Sequence, residues 1–168
     1  MTKILMSACL LGLKVRYDGG HCLQNHARLQ TWIEAGKVIT ICPEMAGGLA
    51  TPRLPAEIQD KKTGSNVLEH EAKIITREGA EVTNEFILGA NKALLLAQQH
   101  SIQVAILKSR SPSCGSSQIY DGSFSRNLIA GMGVTAALLT QHGIKVFDEN
   151  QIDQALNAAE LSIAQNIC

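Results

Sequence analysis

At 168 residues, 45% of them hydrophobic and only 4% aromatic, the chain has the length of one domain, 1–168, with a buried core. Its 15 basic and 15 acidic side chains cancel, which removes any electrostatic motive for nucleic acid or a membrane surface as partner. No apolar stretch approaches the ~20 residues of a membrane span, and the N-terminus lacks the three parts of a signal peptide, so a cytoplasmic protein is expected.

Taken in order, residues 3–8 read as a buried strand closed by Cys9-Leu10-Leu11-Gly12. A turn-forming loop, Arg16-Tyr17-Asp18-Gly19-Gly20, precedes a helix capped near Asn25, which shows Leu29, Trp32 and Ile33 on one face and stops at Gly36. A second strand at 38–42 completes a strand–helix–strand unit, whose strands run parallel. Residues 42–53 carry too much glycine and proline to continue either element and read as a functional loop. The pattern then weakens, and the alternation at 72–76 followed by Glu78-Gly79 points to a short hairpin or edge structure. Thr83 caps a strong helix to about His100, with Phe86, Ala90, Leu94 and Ala97 on one face. A third strand spans 103–108. A helix is expected over 126–142, interrupted at Gly131-Met132-Gly133 and firm from Val134 to His142. Residues 144–147 make a last strand, and Asn150 caps a final helix with Ile152, Ala155, Leu156, Ala159 and Ile163 as its buried stripe. The order predicts a Rossmann-like or flavodoxin-like α/β domain, a mostly parallel sheet with helices on both faces.

Five cysteines spread over the whole length are not a disulfide scaffold, and no Cys-x-x-Cys pair gives a familiar zinc spacing. Cys9, Cys42 and Cys114 share a position instead: each follows a predicted strand and sits beside Gly, Pro or Ser, where packing does not ask for sulfur. In open α/β sheets ligands collect outside the carboxyl ends of the strands. Three thiolates in one crevice would repel unless a cation or cluster neutralised them, and thiolates select zinc, Cu(I) or iron–sulfur. With three protein ligands, a cubane keeps one iron open for a substrate atom, and a catalytic zinc follows the same logic. Cys22 and Cys168 read as ordinary small residues, one in the core and one at the terminus.

Glu44, two residues past Cys42 and steered by Pro43, is a candidate general acid or base; taken alone it would be a solvated loop carboxylate. Ser111 and Ser113 flank Cys114, and one of the two is expected to be spent on the local backbone. Lys108 and Arg110 are surface cations or moderators of the thiolates' charge. Asp18 is as good a turn residue as a functional one, and Tyr17 is weaker still.

Several motifs in order carry a resemblance. Ser7-Ala8-Cys9-Leu10-Leu11-Gly12, Arg16-Tyr17-Asp18-Gly19, Cys42-Pro43-Glu44, Gly47-Gly48-Leu49, Thr51-Pro52-Arg53, Pro55-Ala56-Glu57-Ile58, Ser111-Pro112-Ser113-Cys114-Gly115 and Tyr120-Asp121-Gly122 are similar to those of the thiouracil desulfidase family, from residue 3 to about 148. The resemblance implies a 4Fe–4S cluster on Cys9, Cys42 and Cys114 with one open iron, and non-redox removal of sulfur from a thiolated pyrimidine. It places the acid/base carboxylate on Glu44 and the loop hydroxyl on Ser111. Substrate contacts are expected from Tyr17, Asp18, Arg110 and Ser113, with a thiolated nucleobase as partner and a monomer or weak homodimer as the assembly. Relatives often carry a further cysteine where this chain has Val15, and Leu54 stands where a second proline is expected. Two rivals stand beside this reading: a non-catalytic iron–sulfur or zinc protein, and a hydrolase using Cys114 as nucleophile. The hydrolase lacks a base, since His21 is the one histidine in a loop of the crevice.

Overall fold

The structure, a computed structural model, describes residues 2–165. Strand β1 (Ile4–Ser7) is wholly buried and runs into a 3-10 turn at Ala8–Leu11, which Gly12 ends at φ 89°, in the left-handed region that favours glycine. Helix α1 (Ala27–Glu34) starts one residue later than predicted. His26 is its cap, taking the Leu29 amide on its ring nitrogen. Leu29 and Trp32 face inward, but Ile33 is exposed, because the helix has only two turns and its apolar stripe is narrow. Strand β2 (Val38–Ile41) follows. The glycine- and proline-rich segment after it contains one unforeseen helical turn, α2 (Pro43–Ala46). Proline at the first helical position favours such a turn, since its missing N–H would have had no partner there.

Strand β3 (Ala56–Ile58) pairs antiparallel with β4 (Ile74–Thr76), and a short helix α3 (Gly64–Leu68) lies between them. The predicted edge strand is therefore real, but its partner lies upstream. Helix α4 (Thr83–Gln99) begins with Thr83 inside it: the hydroxyl accepts the Ile74 amide and donates to Glu81, so Thr83 staples α4 to β4 instead of capping the helix. Phe86, Ala90, Leu94 and Ala97 are buried as expected. Strand β5 (Val104–Leu107) leads into the long serine-rich loop, and β6 (Gln118–Tyr120) pairs with β7 (Leu128–Ala130). Residues 126–133 are thus no helix. Gly131 has a φ of 153°, and the Gly133 backbone lies so close to the Pro112 and Ser113 carbonyls that a Cβ would collide with them. Helix α5 (Val134–Gln141), β8 (Lys145–Asp148) and α6 (Ile152–Gln165) complete the order. Ile152, Ala155, Leu156 and Ala159 are buried; Cys168 and the side chain of Ile163 lie outside the described residues.

The four long-range strands form one parallel sheet in the order β2-β1-β5-β8. Alternation sorts its side chains onto two faces. Leu5, Ala105 and Leu107 join α4 and α5 in one cluster; Ile4, Met6, Val104 and Ile106 join α1 and α6 in the other. This is the α/β architecture with helices on both faces that the sequence predicts. The chain leaves β1 toward β2 on one side and later returns to β5 on the other, so β1 and β5 flank the point where strand order reverses. Among the described residues no helix is long and apolar enough to cross a membrane.

Candidate metal centre

Cys9, Cys42 and Cys114 follow β1, β2 and β5, three neighbouring strands, so the topology brings their loops to one end of the sheet. Cys9 sits in the 3-10 turn, where its carbonyl accepts the Cys22 amide at 2.8 Å. Cys42 caps α2 and points its sulfur at the Val15 carbonyl, 3.8 Å away. Cys114 is fixed from two sides: its amide donates to Ser111 Oγ at 3.0 Å, and its sulfur accepts from Ser7 Oγ at 3.5 Å. All three are free thiols, Cys9 and Cys114 buried and Cys42 half-buried.

Burial, then the neighbouring charges of Cys22 and Cys42, pushes the Cys9 thiol up to about 12. Burial also pushes Cys114 to about 12, against the hydrogen bond from Ser7, with the charges of Cys9, Cys42 and Glu44 adding to the rise. Cys42 is raised by burial too, while the backbone at the start of α2 works the other way. Cys9 thus feels Cys42, and Cys114 feels both Cys9 and Cys42. Without a cation they are held neutral, and a bound metal would displace their protons.

Glu44, on α2, donates nothing and accepts Arg53 Nε on Oε2 at 2.7 Å, both side chains being largely buried. Arg53 also reaches the Ala50 carbonyl, Thr51 Oγ1 and the Val15 carbonyl. The carbonyl of Val15 therefore gathers Cys42, Thr51 and Arg53 at one point. Lys108 pairs with Glu149, which also takes the Ser109 amide and hydroxyl. Burial pushes the Glu149 carboxyl up, but the bonds from Lys108 and Ser109 outweigh it and hold the group below the usual carboxylate range.

The remaining predicted residues separate. Ser111 Oγ accepts the amides of Ser113 and Cys114, so its oxygen shapes the loop while its hydrogen stays available. Ser113 is fully buried, its hydroxyl 2.8 Å from Thr135 Oγ1, and it pins the loop to α5. Asp18 takes the Gly20 amide in the turn that the sequence signals. Tyr17 is exposed, with Arg16 over its ring and its carbonyl bound to the Arg53 amide. Arg110 is exposed in the loop before Cys114. Cys22 is more than a core residue: its sulfur receives Arg16 Nη1 at 3.2 Å and lies in the field of Cys9. Ser7, Arg53 and Glu149 were missed by sequence reading. The visible signals were a hydroxyl ending an apolar strand and an arginine closing a stiff loop after Glu44.

Among the described residues no three His, Cys, Asp or Glu side chains draw together tightly enough for a single metal ion. A cubane differs, because each thiolate binds a different iron and the ligands stand further apart. Soft thiol donors on separate loops suit such a cluster as they suit zinc. The hydrolase reading fares worse, since Cys114 is a buried neutral thiol and His21 is engaged by the Leu23 amide.

A doubly wound α/β domain with three cysteines in the loops at the carboxyl end of its sheet, and an Arg53-bound carboxylate beside Cys42, is the class these features define. The chain matches the family model for 2-thiouracil desulfurase over residues 4–151 and belongs to that family. It is 44% identical over 153 residues to YbbK, an uncharacterized protein of Bacillus subtilis (strain 168), covering 91% of this chain and 99% of that one. It is also similar to the solved structure of TudS, a 4Fe–4S-dependent thiouracil desulfidase. There the TM-score is 0.87 at 43% identity, covering 96% of this chain and 99% of the other.

Proposed function

We propose that this chain removes sulfur from a thiolated pyrimidine of the thiouracil type, replacing it with oxygen from water and releasing sulfide with no net redox change. For 2-thiouracil the balance is one thiouracil and one water in, one uracil and one hydrogen sulfide out. The observation that supports this reading is the placement of Cys9, Cys42 and Cys114 in the segments that follow three adjacent parallel strands, with the charge of Glu44 acting on Cys114, in a chain of the desulfurase family.

Cys9, Cys42 and Cys114 would hold a 4Fe–4S cluster; its open iron supplies a soft Lewis-acid position for the substrate sulfur. Glu44 takes a proton from the attacking water and returns one to the ring nitrogen, a carrier role that needs the fixed position Arg53 gives it. Ser111 has its oxygen committed to two amides and its hydrogen free, so it acts as a donor to the substrate. Tyr17 and Arg110, both exposed, carry recognition of the base. Asp18 and Ser113, engaged locally, shape the loops that present them. Lys108, whose charge lowers the Cys9 thiol, offsets part of the thiolates' charge.

The zero net charge supports a small-molecule substrate over nucleic acid, and an oxygen-sensitive centre supports a cytoplasmic protein, monomeric or weakly dimeric. The test is anaerobic preparation with iron and sulfide analysis, followed by assay of 2-thiouracil. Close to four irons per chain with equimolar uracil and sulfide is the expected result. Iron-bound protein that leaves 2-thiouracil untouched would favour a non-catalytic iron–sulfur protein.

A further inference from the structure

Glu44 is a hazard to any open metal position built beside it. Carboxylates are competent iron ligands, and this one stands two residues from Cys42, with its charge acting on both Cys42 and Cys114. Left mobile, it could take the open position and close the site to substrate. The structure ties it back. Arg53 donates Nε to Glu44 Oε2 at 2.7 Å, Nη1 to Thr51 Oγ1 at 2.9 Å and to the Ala50 carbonyl at 3.2 Å, and Nη2 to the Val15 carbonyl at 3.0 Å. Its backbone amide is held by the Tyr17 carbonyl at 2.7 Å. A guanidinium fastened at so many points cannot follow a moving carboxylate. With the side chains only 10% and 16% exposed, separating the pair would strand two charges out of water.

We propose that Arg53 is a positioning residue that keeps the Glu44 carboxylate off the open iron and so preserves it as a proton carrier. The inference rests on the three-cysteine reading of the centre. Arg53 touches neither substrate nor cluster in this role; it acts through Glu44. The same bonds cross-link the loop after Cys9, through Val15 and Tyr17, to the loop after Cys42, so the restraint is shared by two ligand-bearing segments.

The test uses anaerobic, iron-loaded protein titrated with sodium sulfide, the reaction product, while cluster absorbance and electron paramagnetic resonance are followed. Wild type should show a saturable change. Arg53→Gln should bind sulfide roughly tenfold or more weakly, the scale of one charge-assisted bond, because Glu44 now competes. The double variant R53Q/E44Q should recover wild-type affinity, since its amide is a poor iron ligand. Arg53→Lys, which keeps the charge but loses the fork, should fall between and recover likewise when Glu44→Gln is added. Wild-type sulfide affinity in R53Q overturns the proposal, and so does equal weakening in the single and double variants. If R53Q fails to retain iron, R53K and R53K/E44Q decide by the same comparison. Wild-type protein that carries iron but shows no response to sulfide removes the open-iron reading itself, and this inference with it.

Discussion

A thiol buried at a strand end resists ionisation, so Cys9 and Cys114 gain from a metal what the protein alone does not give them. Replacing Cys9, Cys42 or Cys114 by serine should therefore abolish cluster iron under anaerobic conditions, because two thiolates are too few to keep a cubane in an accessible crevice. Cys22→Ser should keep its iron, since that sulfur is engaged by Arg16. Iron loss from the Cys22 variant equal to the others would reassign the ligands. Glu44→Gln preserves size and the acceptor toward Arg53 but cannot take a proton. Its cluster spectrum should match wild type while turnover of 2-thiouracil drops roughly 10²–10⁴-fold. Turnover within a few-fold of wild type would make Glu44 a loop carboxylate, leaving Ser111 or Asp18 to be tested.

Elements set the loops where residues can use them. The turn α2, which carries Cys42 and Glu44 at its start, lies against α4 through two glycines. A Cβ on Gly47 would run into the Glu85 carbonyl, and one on Gly89 would run into the Pro43 carbonyl. No side chain lies between the two backbones at this crossing, so α4 works as the anvil for the Cys42 loop. Gly89→Ala should push α2 away at a cost of about 1–3 kcal/mol, the usual penalty of overpacking. Thermal melting should report it, at roughly 2–4 °C per kcal/mol for a chain of this size. Iron content after reconstitution should fall as well, because Cys42 moves with α2; an unchanged melt and full iron would show the contact to be loose. Gly133 acts similarly behind the Cys114 loop, where Ser113 carbonyl bonds to the Thr135 and Ala136 amides seat α5. Two further motifs that carry the family resemblance hold each other in place. Glu57 of Pro55-Ala56-Glu57-Ile58 accepts the Gly122 and Phe124 amides, holding the loop that begins at Tyr120-Asp121-Gly122.

Across the whole molecule, the sheet's carboxyl end is tied shut on its far side by Glu149. This residue follows β8 and holds Lys108 and Ser109 just after β5. Its pKa is lowered in the folded state, so the stabilisation is full above its unfolded value and is lost as pH falls through the folded one. Glu149→Gln should cost about 1–3 kcal/mol at neutral pH. That difference from wild type should shrink as the medium is acidified below the ordinary carboxylate range. Denaturant melts at neutral and acidic pH check it, and a gap independent of pH would assign the loss to packing.

The sequence by itself determined the strands and long helices that bury apolar runs, because periodicity 2 or 3.6 is a local property of the chain. β1, β2, β5 and α4 fall close to where their patterns place them. It also marked Cys9, Cys42, Cys114 and Glu44, since sulfur or carboxylate beside glycine and proline at a strand end has no packing reason to be there. What only the tertiary structure decided is non-local. The segment 128–130 reads as helix in isolation but becomes β7, because β6 supplies its hydrogen bonds. Arg53 gains a role from the carbonyls and carboxylate that two distant loops bring to it, and Ser7 from the sulfur of Cys114. No spacing along the chain encodes such meetings; the order of strands in the sheet creates them.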